Sequence, residues 1–266
     1  NGYVTLSFNG DIMTGSIKPE YDMPPNDGKD IFIDCDSIIR SVDVACGNLE
    51  GVLADNGKTR KRPGRLSFSF MMPTKSVKLL VDAGYDFMGI ANNHINDFYP
   101  VAIQSTIKTL TDNGIGVAGT KDCETSIKVI NGVKYGFCAF GHENYTLRTQ
   151  DIDCGADIVY GPGPHVPRAM ELYKDHLIAY SLGNFATPRG MKLHYQTAYA
   201  PLLVVRLDKD GKFVDGKIHS FIQVRDKGPR FDATNSVAKD IRSLTEEDIK
   251  DNHLNIADDG TITIKK

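Results

Sequence analysis

The stretch Tyr3-Val4-Thr5-Leu6-Ser7-Phe8-Asn9-Gly10-Asp11 decides the fold class. Apolar and polar residues alternate, so Val4, Leu6 and Phe8 share one face, the period-two signature of a strand. The run stops at Asn9-Gly10-Asp11, a turn-forming group that carries a carboxylate. The same grammar recurs along the chain. Residues 42–46 read as a short strand stopping at Gly47-Asn48-Leu49-Glu50-Gly51. Residues 85–91 read as another, stopping at Asn92-Asn93-His94, and 157–160 as a buried one before Gly161-Pro162-Gly163-Pro164-His165. Helical periodicity fills the spaces between. A helix is expected over 31–42, through Ile31, Ile38, Ile39 and Val42. A second is expected after a Thr74 cap, with Val77, Leu80 and Val81 on its face. A third starts at Pro100, with Ile103, Ile107 and Leu110 inward, and 115–118 returns as a strand.

The second half is richer in hairpins. Asn131-Gly132 joins 127–130 to 134–140, the strongest short hairpin signal in the chain. Lys174-Asp175 joins 170–173 to 177–181, and Asp210-Gly211 separates 202–207 from 213–224. Residues 236–252 read as an amphipathic helix, and the tail around Asp259-Gly260 as a small hairpin. This order of elements fits an α/β (α+β) protein with a mixed sheet, or two sheets packed together with helices outside. No linker-like composition divides it. Residues 1–232 are expected to form the main domain, with the helix and hairpin of 233–266 packed on it.

Composition narrows the function. Of 266 residues, 41% are hydrophobic, and 31 Lys and Arg against 34 Asp and Glu leave a net charge of −3. That balance argues against nucleic-acid binding driven by bulk charge. The densest basic run, Lys58-Thr59-Arg60-Lys61-Arg62, reads as a solvated loop or a patch for a polyanion. No apolar run has the length a membrane helix needs. The five cysteines form no Cys-x-x-Cys pair, which disfavours a zinc ribbon, and Cys46 and Cys138 sit in apolar runs as expected core filler. No Gly-x-Gly-x-x-Gly follows the first strand, and neither a P-loop lysine pattern nor a Gly-x-Ser-x-Gly elbow occurs.

The chemistry is expected where strands end. Asp11, Asn48, Glu50, Asn92, Asn93, His94 and His165 all follow apolar strands. In open α/β sheets, ligands sit outside the carboxyl ends of strands, so polar groups there can converge. Carboxylate, amide and imidazole donors together suit a divalent ion such as Mn, Fe or Zn. Such an ion activates a bound water for hydrolysis. Asn184, after the strand-like Ser181-Leu182-Gly183, and His142 with Glu143, after Phe140, are further candidates. His176, His194, His219 and His253 lie in hairpins or polar segments and read as surface residues.

These clusters have a family likeness. Phe8-Asn9-Gly10-Asp11-Ile12-Met13, Gly47-Asn48-Leu49-Glu50-Gly51, Gly89-Ile90-Ala91-Asn92-Asn93-His94, Gly155-Ala156-Asp157-Ile158-Val159 through His165-Val166, and Ala179-Tyr180-Ser181-Leu182-Gly183-Asn184-Phe185 occur in the order of the CapA/PgsA poly-gamma-glutamate capsule biosynthesis proteins, which the chain resembles. The resemblance implies a divergent calcineurin-like metallophosphatase fold, a sandwich of two mixed β-sheets flanked by helices. It implies Asp11, Asn48, Glu50, Asn93 and His165 as metal ligands, with Asn93 and His94 as the catalytic pair. Asn92, His142, Asn184, Arg60 and Arg62 are the expected substrate contacts. It implies an extracytoplasmic protein, membrane-anchored or a lipoprotein, whose leader is absent from this chain, working beside membrane-bound capsule synthase components.

Two departures stand out. Pro162 occupies a position where the family usually carries a histidine, and 141–154 is short for the family's usual helix–strand–helix unit. Two functions therefore stay open. One is a metal-dependent hydrolase acting on a phosphoester or amide of envelope polymer. The other is a non-catalytic component that binds an anionic polymer through Arg60, Lys61, Arg62 and Arg65, with a degenerate metal site.

Overall fold

The alternation that begins the sequence becomes β1 (Tyr3–Ile12), the strand about which the others assemble. The computed structural model describes residues 2–18, 20–62, 67–141, 148–189 and 191–265. In chain order, β1 is followed by a ribbon of β2 (Ser16–Lys18) and β3 (Glu20–Asp22), helix α1 (Asp36–Ile39), β4 (Val44–Leu49), and the paired β5 (Val52–Leu53) and β6 (Met71–Met72). Then come α2 (Val77–Ala83), β7 (Phe87–Gly89), α3 (Pro100–Asp112), β8 (Gly116–Ala118), and a hairpin of β9 (Thr125–Ile130) and β10 (Val133–Cys138). The second half holds α4 (Arg148–Asp153), β11 (Ile158–Tyr160), β12 (Met170–Tyr173), β13 (His176–Ala179), β14 (Asn184–Ala186), β15 (Leu202–Asp208) and β16 (Phe213–His219). It ends with the pair β17 (Phe221–Val224) and β18 (Gly228–Phe231), α5 (Ser236–Asp248), β19 (Leu254–Ile256) and β20 (Thr261–Ile264).

The main sheet runs β19-β20-β16-β15-β1-β4-β7-β8, with β14 also on β1. It is mixed: β4, β7, β8 and β14 are linked in parallel register, whereas β15, β16, β20 and β19 follow antiparallel. A second mixed sheet, β11-β13-β12, packs on it. Leu6 and Phe8 of β1 meet Met170, Leu172, Leu177 and Ala179 of the second sheet in one core, which also takes Val237, Ala238 and Ile241 of α5. The other core sets Ala45, Leu49 and Met88 against Ile39, Val77, Leu80, Ala102 and Leu110 from the helices. Two mixed sheets with helices outside is the architecture expected from the sequence.

The hairpin signals correspond to real turns. Asn131 and Gly132 have φ of 50° and 81°, and Lys174 and Asp175 have 50° and 67°, the left-handed pair that matches strand twist. The terminal hairpin β19–β20 joins the main sheet through β16.

Other expectations give way to tertiary contacts. The helix expected over 31–42 is reduced to Asp36–Ile39. Its first half is held instead by β18: Arg230 donates to the carbonyls of Asp30 (3.0 Å) and Ile31 (3.3 Å), and Phe231 N donates to Asp34 (3.0 Å). Thr74 caps nothing, because its N–H and hydroxyl both donate to Asp55. Val81 is 41% exposed, not inward. Cys138 faces solvent on its hairpin, while Cys46 is buried as expected. The strand expected over 213–224 breaks at Ser220, whose hydroxyl accepts Ala238 N–H near the start of α5. His219 is partly buried rather than a plain surface residue, and burial lowers its pKa.

One contact sets the end of β1. Its partner on one side changes from β15, which pairs with residues 3–9, to β14, which pairs with Asp11 and Ile12. Gly10 sits at the change. A Cβ there would fall 1.7 Å from the carbonyl oxygen of Gly183. The bare backbone lets the two chains touch, and Asp11 N–H donates to that carbonyl at 2.9 Å. Gly10→Ala is expected to destabilise the fold by about 1–3 kcal/mol or more, as overpacking does. Urea unfolding of the variant checks this, and an unchanged midpoint would show that the two backbones separate freely.

Candidate metal centre

Parallel pairing brings three strand ends into line. In the register of β1, Asp11 stands opposite Asn48 of β4 on one side and Asn184 of β14 on the other. Glu50 follows two residues beyond Asn48 and donates its N–H to the carbonyl of Ile12 at 2.9 Å. His165 arrives from the Gly/Pro-rich loop after β11 with φ 61°, in the left-handed region that few non-glycine residues adopt. His94 follows β7 in the turn after Asn92.

The side chains then converge. Asp11 Oδ2 lies 2.7 Å from His165 Nδ1, and Asp11 Oδ1 accepts from Asn48 Nδ2 at 2.8 Å. The same Asn48 nitrogen donates to Glu50 Oε2 at 3.2 Å. Asn184 Oδ1 is 3.1 Å from His165 Nδ1, and its Nδ2 donates to the carbonyls of His165 and Thr197. Asn92 Nδ2 donates to Leu49 O (2.7 Å) and Asn48 Oδ1 (3.3 Å), and its Oδ1 accepts His94 N–H. Glu50 Oε1 is buried with no hydrogen-bond partner among the described residues, 3.7 Å from His94 Nε2 and 4.0 Å from His165 Nε2.

Donor atoms of Asp11, Glu50 and His165 all lie within 4.8 Å of one another. Two carboxylates and an imidazole are a donor set for a divalent cation of intermediate hardness. The orphaned Glu50 oxygen supplies the independent sign: a buried carboxylate oxygen without a partner is costly, and a cation would satisfy it. These residues fit a metal. Asn48 faces the two carboxylates with its nitrogen, so its oxygen could ligate only after the amide turned over.

The electrostatics agree. Burial, then the Asp11 charge, pushes the Glu50 carboxyl well above the usual range. The Asp11 hydrogen bond raises the His165 imidazole, against the opposing effect of burial.

Not every expected residue enters this cluster. Asn93 is exposed and has no hydrogen bond to it among the described residues; Asn92, its neighbour in the turn, faces inward. Arg60 and Arg62 are exposed on the loop before the site. His142 lies outside the described residues, as do Glu143 and Arg65. Asp97 went unread in the sequence. It is fully buried, its Oδ2 lies 2.6 Å from His94 Nδ1, and the same oxygen accepts Phe70 N–H at 2.9 Å. Phe70 packs its ring on the imidazole with centroids 4.0 Å apart. The i, i+3 spacing of His94 and Asp97 was the available signal. The proton assigned to Nδ1 by this short contact leaves Nε2 facing Glu50.

Comparison with known proteins places the chain in a family. The model of the bacterial capsule synthesis protein family PGA_cap matches residues 5–152 and 143–189, and the chain belongs to that family. The two matched stretches overlap over residues 143–152. Capsule biosynthesis protein CapA of Bacillus anthracis is 22% identical over 253 residues, covering 71% of this chain and 61% of that protein. PGA biosynthesis protein CapA of Bacillus subtilis (strain 168) is 25% identical over 268 residues, covering 78% and 69%. The chain thus spans under two thirds of the Bacillus anthracis relative. Among solved structures it is similar to a 5'-nucleotidase precursor from Thermus thermophilus, with 11% identity and a TM-score of 0.43, covering 93% of this chain and 59% of that one. No helix among the described residues is long and apolar enough to cross a membrane.

The raised groups predict a pH dependence. Folded Glu50 keeps a proton that the unfolded chain has released above about pH 4.3, and His165 keeps one lost above roughly 6.5. Each contribution to stability is full below the unfolded value and lost as pH rises through the folded one. The thermal midpoint of chelated protein should therefore fall as pH rises above about 4.3, and further above roughly 6.5. Adding Mn²⁺ should raise it most at the alkaline end, and Glu50→Gln should flatten the decline. A chelated midpoint that climbs steadily with pH would contradict the assignment.

Proposed function

We propose that this protein is a metal-dependent, hydrolase-like component of capsule polymer metabolism, acting on a phosphoester or amide of an anionic envelope polymer such as poly-gamma-glutamate. The observation that carries the reading is the convergence of Asp11, Glu50 and His165, with an orphaned Glu50 oxygen beside His94. Membership of the capsule synthesis family supports the setting. Asp11, Glu50 and His165 would hold the ion, drawn from Mn, Fe or Zn. When bound, it would supply Lewis-acid activation of water or substrate oxygen.

The chain's own groups do the rest. His94, with Nδ1 held by Asp97, presents Nε2 for proton transfer. Phe70 and Asp97 fix its ring, and Asn184 fixes His165. Asn93, at the exposed rim, is placed to meet substrate rather than ion, and Asn92 orients Asn48 and the His94 turn. We place the protein outside the cytoplasm, on the envelope, next to membrane-bound synthase components. Residues 1–232 form the functional unit, with 233–266 packed on it through β20 and α5.

The test is metal content, on protein purified without chelator and offered each metal in turn. Wild type should retain an ion that Asp11→Ala and His165→Ala both lose. His94→Ala should keep the ion yet lower hydrolysis of a phosphoester or amide reporter by about 10²–10⁴-fold, the usual contribution of a proton-transfer group. An ion retained with no hydrolysis of either reporter would favour the polymer-binding reading. No retained ion would sink the metal assignment.

A further inference from the structure

The basic run at 58–62 divides on folding. Arg60 and Arg62 are exposed, but Lys61 turns inward. Its ammonium donates to Phe68 O at 2.7 Å, forms an ion pair with Asp97 Oδ1, and lies 3.1 Å from His94 Nδ1. The backbone of the same loop is tied to the same residue: Arg60 N–H donates to Asp97 O at 2.8 Å, and the Thr59 hydroxyl reaches it at 3.3 Å. Asp97 therefore holds two things at once. Its Oδ2 fixes His94, while its carbonyl and Oδ1 seat the loop. Arg60 lies with its guanidinium 5.9 Å from the exposed Tyr99 ring, which limits its wandering.

Lys61 is thus engaged within the fold although its side chain keeps 33% exposure, whereas Arg60 and Arg62 are exposed. We propose that Lys61 is a positioning residue: it seats the 58–62 loop on the Asp97–His94 pair so that Arg60 and Arg62 present a fixed pair of guanidinium groups to a chain of carboxylates. The two guanidinium groups suit paired carboxylate oxygens, and a polymer supplies many of them. Because loop and imidazole share one anchor, engagement of the polymer is felt at His94. The inference rests on the proposed function for the polymer and for the place of His94; the binding itself needs no ion.

The test uses the whole protein in chelator, at low salt, with a soluble poly-gamma-glutamate fraction of narrow length as probe. Wild type should bind it, and Arg60→Ala with Arg62→Ala should weaken binding roughly tenfold, the effect of a modest change in free energy. Lys61→Met should weaken it about as much, Lys61→Arg should restore it, and Lys61→Met added to the arginine pair should do nothing more. His94 ring signals in NMR spectra should shift on adding polymer to wild type and not to Lys61→Met. Should Lys61→Met fold poorly, through the charge stranded on Asp97, the neutral pair Lys61→Met with Asp97→Asn replaces it, with the same loss expected. Additive losses would make Lys61 an ordinary polymer contact and overturn the proposal, as would wild type that binds no polymer or shows no His94 shift. Displacement by millimolar inorganic phosphate would assign the guanidinium groups to phosphate and overturn the polycarboxylate assignment. The binding pattern intact in a protein that retains no metal would refute the hydrolase reading alone.

Discussion

Two buried carboxylates facing one another are the constraint on which this site depends. Asp11 and Glu50 are almost wholly removed from water, and a single amide nitrogen, from Asn48, bridges them. Like charges in a low-dielectric pocket cannot both stay ionised without compensation, which is why the Glu50 carboxyl is driven upward. Apolar residues of similar size would serve a purely structural core better. Strand ends carrying such a pair are the signature of a binding task set against stability. The raised His165 supplies part of the compensation, and the remaining orphaned oxygen marks where more positive charge is wanted.

The backbone makes that pair possible. Parallel strands deliver Asp11, Asn48 and Asn184 side by side only because β14 reaches β1 at the end that β15 leaves free. The Gly10–Gly183 approach is the hinge of this arrangement, since any side chain at Gly10 would hold the two chains apart. Gly183 itself has φ 58° and packs against the backbone of Val166, beside His165. A glycine pair therefore links the first strand, the last amide and the histidine loop.

Much of this was legible in the chain. The strand-end rule found Asp11, Asn48, Glu50, His94, His165 and Asn184, because strand periodicity and polar terminators are local signals. Hairpins were legible for the same reason: Asn131-Gly132 and Lys174-Asp175 dictate their own geometry. What failed was decided from afar. The segment around Ile31 obeys Arg230 and Phe231, some 200 residues later, rather than its helical periodicity. Asn92 and Asn93 are adjacent and chemically identical, so only the turn's direction tells which faces the site. Lys61 read as one charge in a basic run, because nothing local shows that its partner is Asp97.

That last partnership clarifies the electrostatics of the whole site. Asp97, Glu50 and Asp11 are all buried, and the Asp97 charge adds to the burden on Glu50. Without Lys61, three carboxylates would share one pocket. With it, Asp97 is paired, and what remains to be compensated is the Asp11–Glu50 pair, whose oxygens with His165 form a donor set that suits a divalent cation. In the proposed reading, Lys61 thereby separates two tasks assigned to the same few residues. The Asp97–Lys61 pair orients His94 and the basic loop, while Asp11 and Glu50 remain free to define a cation's place. The Asp97 carboxylate holds His94 by Nδ1, which leaves Nε2 facing Glu50 Oε1 at 3.7 Å.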